Sequence, residues 1–339
     1  MGGERRSYMP KELTHWHIAR EALQRGIPLE VGRIITGNPE LYYIGSVAHD
    51  IPFYDMAKPR EARIERVANQ LHGVAGENTL APLIEIMKTA LRRRDRDNSL
   101  AFLLGMLTHF VADSVFHPMV YYLSGNYFAL DPEERSRAVF RHRLLETAMD
   151  LWLQMLDPMD YPMDLNGLWR DSGEAGRQAL NLIVKRYAYQ EDKSFQARFE
   201  KAWRNQRFLQ TAFSWSIPWR VLAVCRRYGY LRTEKLEALF YSQPLDLSFF
   251  NQALDWKHPV SGQQYSMGLL EIYDLSVKKV IILFEQLAEQ SPEKWPQVLG
   301  TLPPLSLDTG LPYVPVADMR FFRNEPIECQ LRFDRRKTQ

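Results

Sequence analysis

One stretch of this chain constrains its fold more than any other. Residues 99–125 read Ser-Leu-Ala-Phe-Leu-Leu-Gly-Met-Leu-Thr-His-Phe-Val-Ala-Asp-Ser-Val-Phe-His-Pro-Met-Val-Tyr-Tyr-Leu-Ser-Gly, the most apolar run in the protein, yet they carry His109, Asp113 and His117. At 3.6 residues per turn, positions i, i+4 and i+8 lie on one stripe that drifts only about 40° per step. The run is long enough to span a bilayer. An Asp at the middle of such a span costs about 2.5–3.5 kcal/mol on insertion scales, and no second convincing span lies nearby, so a buried helix in a globular core is expected. An acid between two imidazoles then has two readings. One is a hydrogen-bonded polar network, the usual arrangement for buried polar groups. The other is metal: a buried carboxylate needs a compensating positive charge, and Zn²⁺ supplies it while accepting imidazole nitrogen and carboxylate oxygen.

The next helix favours metal. Asp131-Pro132-Glu133-Glu134 is a capped, acidic helix start. The helix it opens carries His142 and Glu146, again at i and i+4, beside an apolar face of Ala138, Leu145, Met149 and Leu153. Seven of the eight histidines fall within the first 142 residues. His15 shares a helical face with Ala19, Ala22 and Leu23 over 11–25, and His17 points about 200° away and is expected at the surface. His72 sits with Ile64, Ala68 and Leu71 on a helix over 59–72 that stops at Gly73. Asp50 ends a helix that begins at Pro39. Eight potential ligands result: His15, Asp50, His72, His109, Asp113, His117, His142 and Glu146. That is too many for one zinc and enough for two or three. His49 and His258 are read as structural.

Other helices are expected at about 79–92, 173–190, 194–207, 208–228 and 265–290, with Arg92–Asp97 as a solvated turn. The fold class is therefore mainly α. Residues 1–8 are expected to be a disordered extension, 9–290 one helical domain, and 291–339, rich in proline, an extended wrap or tail. No Gly-rich phosphate loop, GxSxG elbow or CxxC pair is present. With 43 Lys+Arg against 41 Asp+Glu, the charge balance argues against a nucleic-acid coat or polybasic membrane module. Cys225 and Cys329 cannot build a disulfide framework, and Met1-Gly-Gly-Glu-Arg-Arg leads into no apolar signal segment, so a cytoplasmic location is expected.

The arrangement resembles the zinc-dependent phospholipases C of bacteria, which share an all-helical fold with single-strand zinc nucleases of fungi and plants. The likeness is carried by Met9-Pro10…Thr14-His15…Ala19, by Gly45…His49-Asp50-Ile51, and by His72. It continues through Gly105-Met-Leu-Thr-His109-Phe-Val-Ala-Asp113-Ser-Val-Phe-His117-Pro118, His142-Arg-Leu-Leu-Glu146 and Trp256-Lys-His258-Pro-Val-Ser-Gly262. The resemblance implies that Asp50, His72, His109 and Asp113 hold one zinc, with Asp113 bridging to a second that His15 also ligates. It implies a third zinc on His117, His142 and Glu146, and Asp50 as the group orienting the attacking water. Secreted members complete one site with the amine and carbonyl of a mature N-terminal residue. Here fourteen residues precede His15 with no cleavage signal, so that site is expected to lack those ligands unless His17, a backbone carbonyl or water fills in. The implied activity is hydrolysis of a phospholipid or small phosphodiester, with at most transient contact with a membrane surface; a nucleic-acid partner is disfavoured. The alternatives are a single-strand nuclease on the same scaffold and a non-catalytic, metal-stabilised helical lipid-binding protein. Oligomeric state is not legible.

Overall fold

A computed structural model describes residues 12–56, 64–161, 164–187, 194–228 and 233–331. The expected N-terminal extension, residues 1–8, lies outside the described residues. The protein is mainly α. In chain order the helices are α1 (Glu12–Arg25), α2 (Leu29–Thr36), α3 (Pro39–Gly45), α4 (Glu65–His72), α5 (Leu80–Ala90), α6 (Arg96–Ser124), α7 (Pro132–Leu156), α8 (Leu165–Tyr187), α9 (Phe195–Phe213), α10 (Ser216–Arg227) and α11 (Glu234–Glu237). After them come α12 (Leu269–Ala288), α13 (Trp295–Thr301) and α14 (Glu328–Leu331). A 3-10 helix, Ala48–Tyr54, joins α3 to the segment before α4. Strands β1 (Leu254–Lys257) and β2 (Gln264–Met267) form one antiparallel hairpin, with Trp256 paired to Tyr265.

Helix α6 is the axis of the molecule. It is long and apolar enough to cross a membrane, but its apolar window is wholly buried inside the protein. Helices α3, α12, α7, α1, α2, α5 and α8 all pack on it. Pro118 lies inside α6, and the helix continues past it to Ser124. The closest crossing is with α3. A Cβ on Gly45 would lie 2.0 Å from the Phe102 carbonyl oxygen, and one on Gly105 would lie 2.0 Å from that of Tyr42. Only a glycine pair lets the two backbones approach so closely. Around this crossing Trp16 Nε1 donates to the Tyr43 carbonyl (3.0 Å), and the Tyr42 and Thr108 hydroxyls share a 3.0 Å hydrogen bond.

Helix α7 starts as its sequence dictates, with the Asp131 carboxylate accepting from the amides of Glu133 and Glu134. Elsewhere the boundaries differ from the periodicity for identifiable reasons. Helix α8 begins at Leu165 and is bent at Gly173 (φ 52°), the point at which periodicity alone would start it. The run 208–228 divides at Ser214 and Trp215, because Pro218 belongs to the first turn of a new helix, α10. Residues 264–267 are strand, and α12 starts only after Gly268, whose amide donates to Glu271 Oε2.

His17 corrects the surface expectation: it is buried. Helix α1 is covered on both sides, by α6 and α7 on the His15 face and by α12 opposite. Tyr273 of α12 donates its hydroxyl to the His17 carbonyl. Residues 305–316 run back over the ends of α4 and α6. There the Leu307 amide donates to the His72 carbonyl (2.8 Å) and the Val316 amide to that of Val74 (3.0 Å).

Candidate metal centre

All eight side chains singled out from the sequence are brought into one buried region. His109 and Asp113 come from successive turns of α6, with His109 Nε2 2.9 Å from Asp113 Oδ2. His72, the last residue of α4, places its Nε2 3.2 Å from Asp50 Oδ1 and 3.5 Å from Asp113 Oδ2. His15 Nε2 approaches Asp113 Oδ1 at 3.3 Å. One turn further along α6, His117 Nε2 lies 3.8 Å from Glu146 Oε1, which is 3.2 Å from His142 Nε2. Three ligand sets follow from proximity: His15, Asp50 and His109; His72, His109 and Asp113; His117, His142 and Glu146. His15 thus groups with Asp50 and His109 as well as with Asp113.

Backbone carbonyls orient the imidazoles. Nδ1 of His72 faces the Ala68 carbonyl (2.8 Å), that of His109 the Ser46 carbonyl (2.8 Å) and that of His117 the Leu307 carbonyl (3.0 Å). A carbonyl only accepts, so each Nδ1 carries the proton and each Nε2 of the neutral ring presents a lone pair. Those lone pairs point at carboxylate oxygens. An acceptor aimed at an acceptor in a buried site is repulsive unless a cation, either a metal or an added proton, lies between them. Nitrogen and oxygen donors from imidazole and carboxylate are what zinc takes, with carbonyls as the outer partners of its histidines. The residues therefore fit zinc.

Without metal, protons fill that role. Burial would pull the His72 imidazole down, but Asp113 and Asp50 push it up to about 10. His117 is likewise raised, by Asp113, Asp308 and Glu146 acting against burial. Burial would push Asp50 and Asp113 up, yet His109 beside both, with His72 on Asp50 and with His117 and His15 on Asp113, holds them below the usual carboxylate range. His15 is lowered to about 4 by burial and by its stacking partner His109. It is therefore neutral and able to donate a lone pair at physiological pH.

Sequence reasoning missed several neighbours. Asp308 Oδ1 accepts from the Tyr121 hydroxyl (2.9 Å) and lies 3.4 Å from His117 Nδ1. Asp150, one turn beyond Glu146, accepts from the Thr14 amide and hydroxyl (2.8 and 2.5 Å) and from the Tyr241 hydroxyl (2.7 Å), locking α1 to α7 beside His15. Glu12 is buried and accepts from Tyr54 and Gln206, both at 3.2 Å; burial pushes its carboxyl up to about 8. His49 stacks on His109, ring centroids 4.5 Å apart, and neither of its ring nitrogens has a hydrogen-bond partner. His258 accepts from the amides of Val260 and Ser261, capping the hairpin, and its ring also meets the backbone of Thr309. Between Thr14, His15, Asp113, His117 and Glu146, lined also by Phe116, Val120 and Met149, lies a cavity of about 30 Å³. That is room for a water or hydroxide beside the ligand atoms.

A family model described as zinc dependent phospholipase C matches residues 14–210, more than half of the chain. The match takes in all eight side chains of the cluster and stops short of Asp308 and the hairpin. Comparison with curated proteins and with solved structures finds no match.

Proposed function

Because this chain belongs to the zinc-dependent phospholipase C family, we propose that it is a zinc-dependent hydrolase cleaving the phosphodiester of a phospholipid or a small phosphodiester with an activated water. The observation that carries the reading is the set of Nε2 lone pairs of His72, His109 and His117 facing Asp50, Asp113 and Glu146 in one buried cluster. His15, Asp50, His72, His109 and Asp113 would hold one pair of ions, and His117, His142 and Glu146 another ion. Bound zinc lowers the pKa of a coordinated water toward 7 and offsets charge on phosphoryl oxygens.

The chain's own part is positioning. The Ala68, Ser46 and Leu307 carbonyls hold three imidazoles in the tautomer that leaves Nε2 bare. Asp50 is ionised by His109 and His72, so one carboxylate oxygen is available to accept a hydrogen bond from the attacking water and aim its lone pair. Phe116, Val120 and Met149 give the cavity beside Asp113 and Glu146 an apolar wall.

The test begins with zinc content of the purified protein beside Asp113→Ala and His142→Ala. Two to three zinc ions per chain, falling in each variant, are expected, followed by hydrolysis of phosphatidylcholine in preference to single-stranded DNA. Less than about one zinc per chain after reconstitution would refute the catalytic reading and leave a polar network in a helical scaffold.

A further inference from the structure

The near-neutral balance of the whole chain hides an uneven distribution. Between Lys201 and Thr233 there are seven Lys and Arg and no Asp or Glu. Helix α10 lies in this stretch, and none of its residues is buried. It carries apolar residues on two opposite faces. Trp219, Leu222 and Arg226 face inward, the first two against the core and the third paired with Glu237 at 3.0 Å. Ile217, Val221, Val224 and Tyr228 follow at i, i+4, i+7 and i+11, one stripe about 60° wide. They are 73%, 55%, 53% and 68% exposed. Arg220 and Arg227 run along one edge of that stripe, exposed and with no carboxylate partner among the described residues. A soluble surface helix turns one apolar face in and leaves the opposite face polar; this one adds a second apolar stripe that faces out.

The helix is hung between the walls of the metal centre. On one side α9 is tied to the segment bearing Asp50 through Asn205 Nδ2 on the Tyr54 carbonyl (2.9 Å), and to α1 through Gln206 Nε2 on Glu12 (3.2 Å). On the other, the residues after α10 are tied to α7, through Arg143 Nη1 on the Lys235 carbonyl and Thr147 Oγ1 on that of Ala238.

We propose that the outward face of α10 is a membrane-docking surface: Ile217, Val221, Val224 and Tyr228 enter the boundary of a phospholipid bilayer while Arg220 and Arg227 meet anionic headgroups. The occupant follows from the combination of an apolar stripe with unpaired cations on an otherwise acid-free segment, the signature of an interfacial helix. The choice of a lipid surface rests on the phospholipase reading.

Co-sedimentation with vesicles of phosphatidylcholine, alone and with phosphatidylglycerol added, tests this. Wild type is expected to bind the mixed vesicles, and Ile217→Ser/Val224→Ser to bind at least tenfold more weakly with unchanged zinc content and unchanged hydrolysis of a short-chain, monomeric phosphatidylcholine. Arg220→Ala/Arg227→Ala should lose about fivefold per arginine on the mixed vesicles and little on phosphatidylcholine alone. Equal vesicle binding by wild type and the serine variant overturns the proposal. So does a wild-type dimer that the serine variant dissociates without any vesicle binding, or retention on single-stranded DNA in place of vesicles. Vesicle binding that behaves as expected in a protein unable to hydrolyse phospholipid leaves the surface standing and refutes the function.

Discussion

Gly105→Ala is the most direct probe of how the backbone crossing of α3 and α6 serves the site. A methyl at 105 would sit 2.0 Å from the Tyr42 carbonyl oxygen and 2.8 Å from the Ser46 amide nitrogen, both backbone atoms that no rotamer change can move. Restoring ordinary contact requires the helices to part by about 1.4 Å at this point. His109, one turn from Gly105, reaches Ser46 across the same crossing at 2.8 Å, so a displacement of that size stretches the bond to about 4 Å and breaks it. Overpacking of this kind costs about 1–3 kcal/mol and the orphaned buried polar groups about 1–3 kcal/mol more. Together they lower the unfolding midpoint by about 10 °C, at about 2–4 °C per kcal/mol for a domain of this size class. Loss of the carbonyl partner should also weaken zinc binding about 10–100-fold. Calorimetric unfolding of the zinc-loaded protein and competition against a chelator measure the two effects. Gly300→Ala is the control, because a Cβ there meets nothing within 4 Å, and it should leave both unchanged or add slightly to stability. A Gly105→Ala protein that melts within about 2 °C of wild type and keeps its zinc would refute the argument.

Three further outcomes are expected. Asp308→Asn keeps an acceptor for Tyr121 but removes a charge 3.4 Å from His117 Nδ1, while the Leu307 carbonyl remains; zinc affinity by chelator competition should fall about tenfold, the low end for an outer partner. Glu12 keeps in the fold, up to about pH 8, a proton that the unfolded chain releases near 4.5, so it stabilises fully below about 4.5 and that contribution is lost as pH rises through about 8. The free energy of unfolding from denaturant titration should therefore fall between pH 5 and 8 by up to about 1.4 kcal/mol per pH unit, and Glu12→Gln should flatten that slope; a slope unchanged by the substitution sinks the assignment. Chelation should destabilise the protein by about 4 kcal/mol per site for an ion present at a thousandfold its dissociation constant, read as a drop in melting temperature that added zinc reverses.

Helix period singled out His109, Asp113 and His117, and His142 and Glu146, because they repeat at four residues on buried helices and leave a local trace; His15 and His72 stood out on apolar faces and Asp50 at a helix end, and the family resemblance supplied the sharing of ions among the eight. The same trace marked α1, α4, α6 and α7 as the bearing elements. What was not legible is long-range. Asp308 and the Leu307 carbonyl meet His117 across some 190 residues, from a proline-rich segment with no periodicity to flag them. His17 looked exposed because a single helix shows only which residues share a face; here α12 covers the second face as well. The Gly45–Gly105 crossing was silent for the same reason, since each glycine alone is unremarkable and only their juxtaposition has meaning. The outward stripe of α10 reads as an ordinary amphipathic helix until one knows which side faces the core.

The carbonyl of Leu307 also sets an order of events during synthesis. All eight candidate ligands have been made by Glu146, whereas the group that fixes the tautomer of His117 follows about 160 residues later, on the order of 10–30 s at ordinary translation rates. Throughout that interval a nascent chain offers a full complement of imidazoles and carboxylates, but His117 is free to present either nitrogen. A metal captured in that interval would meet a His117 able to ligate through either nitrogen, a choice that ends when residues 305–309 dock on α4 and α6.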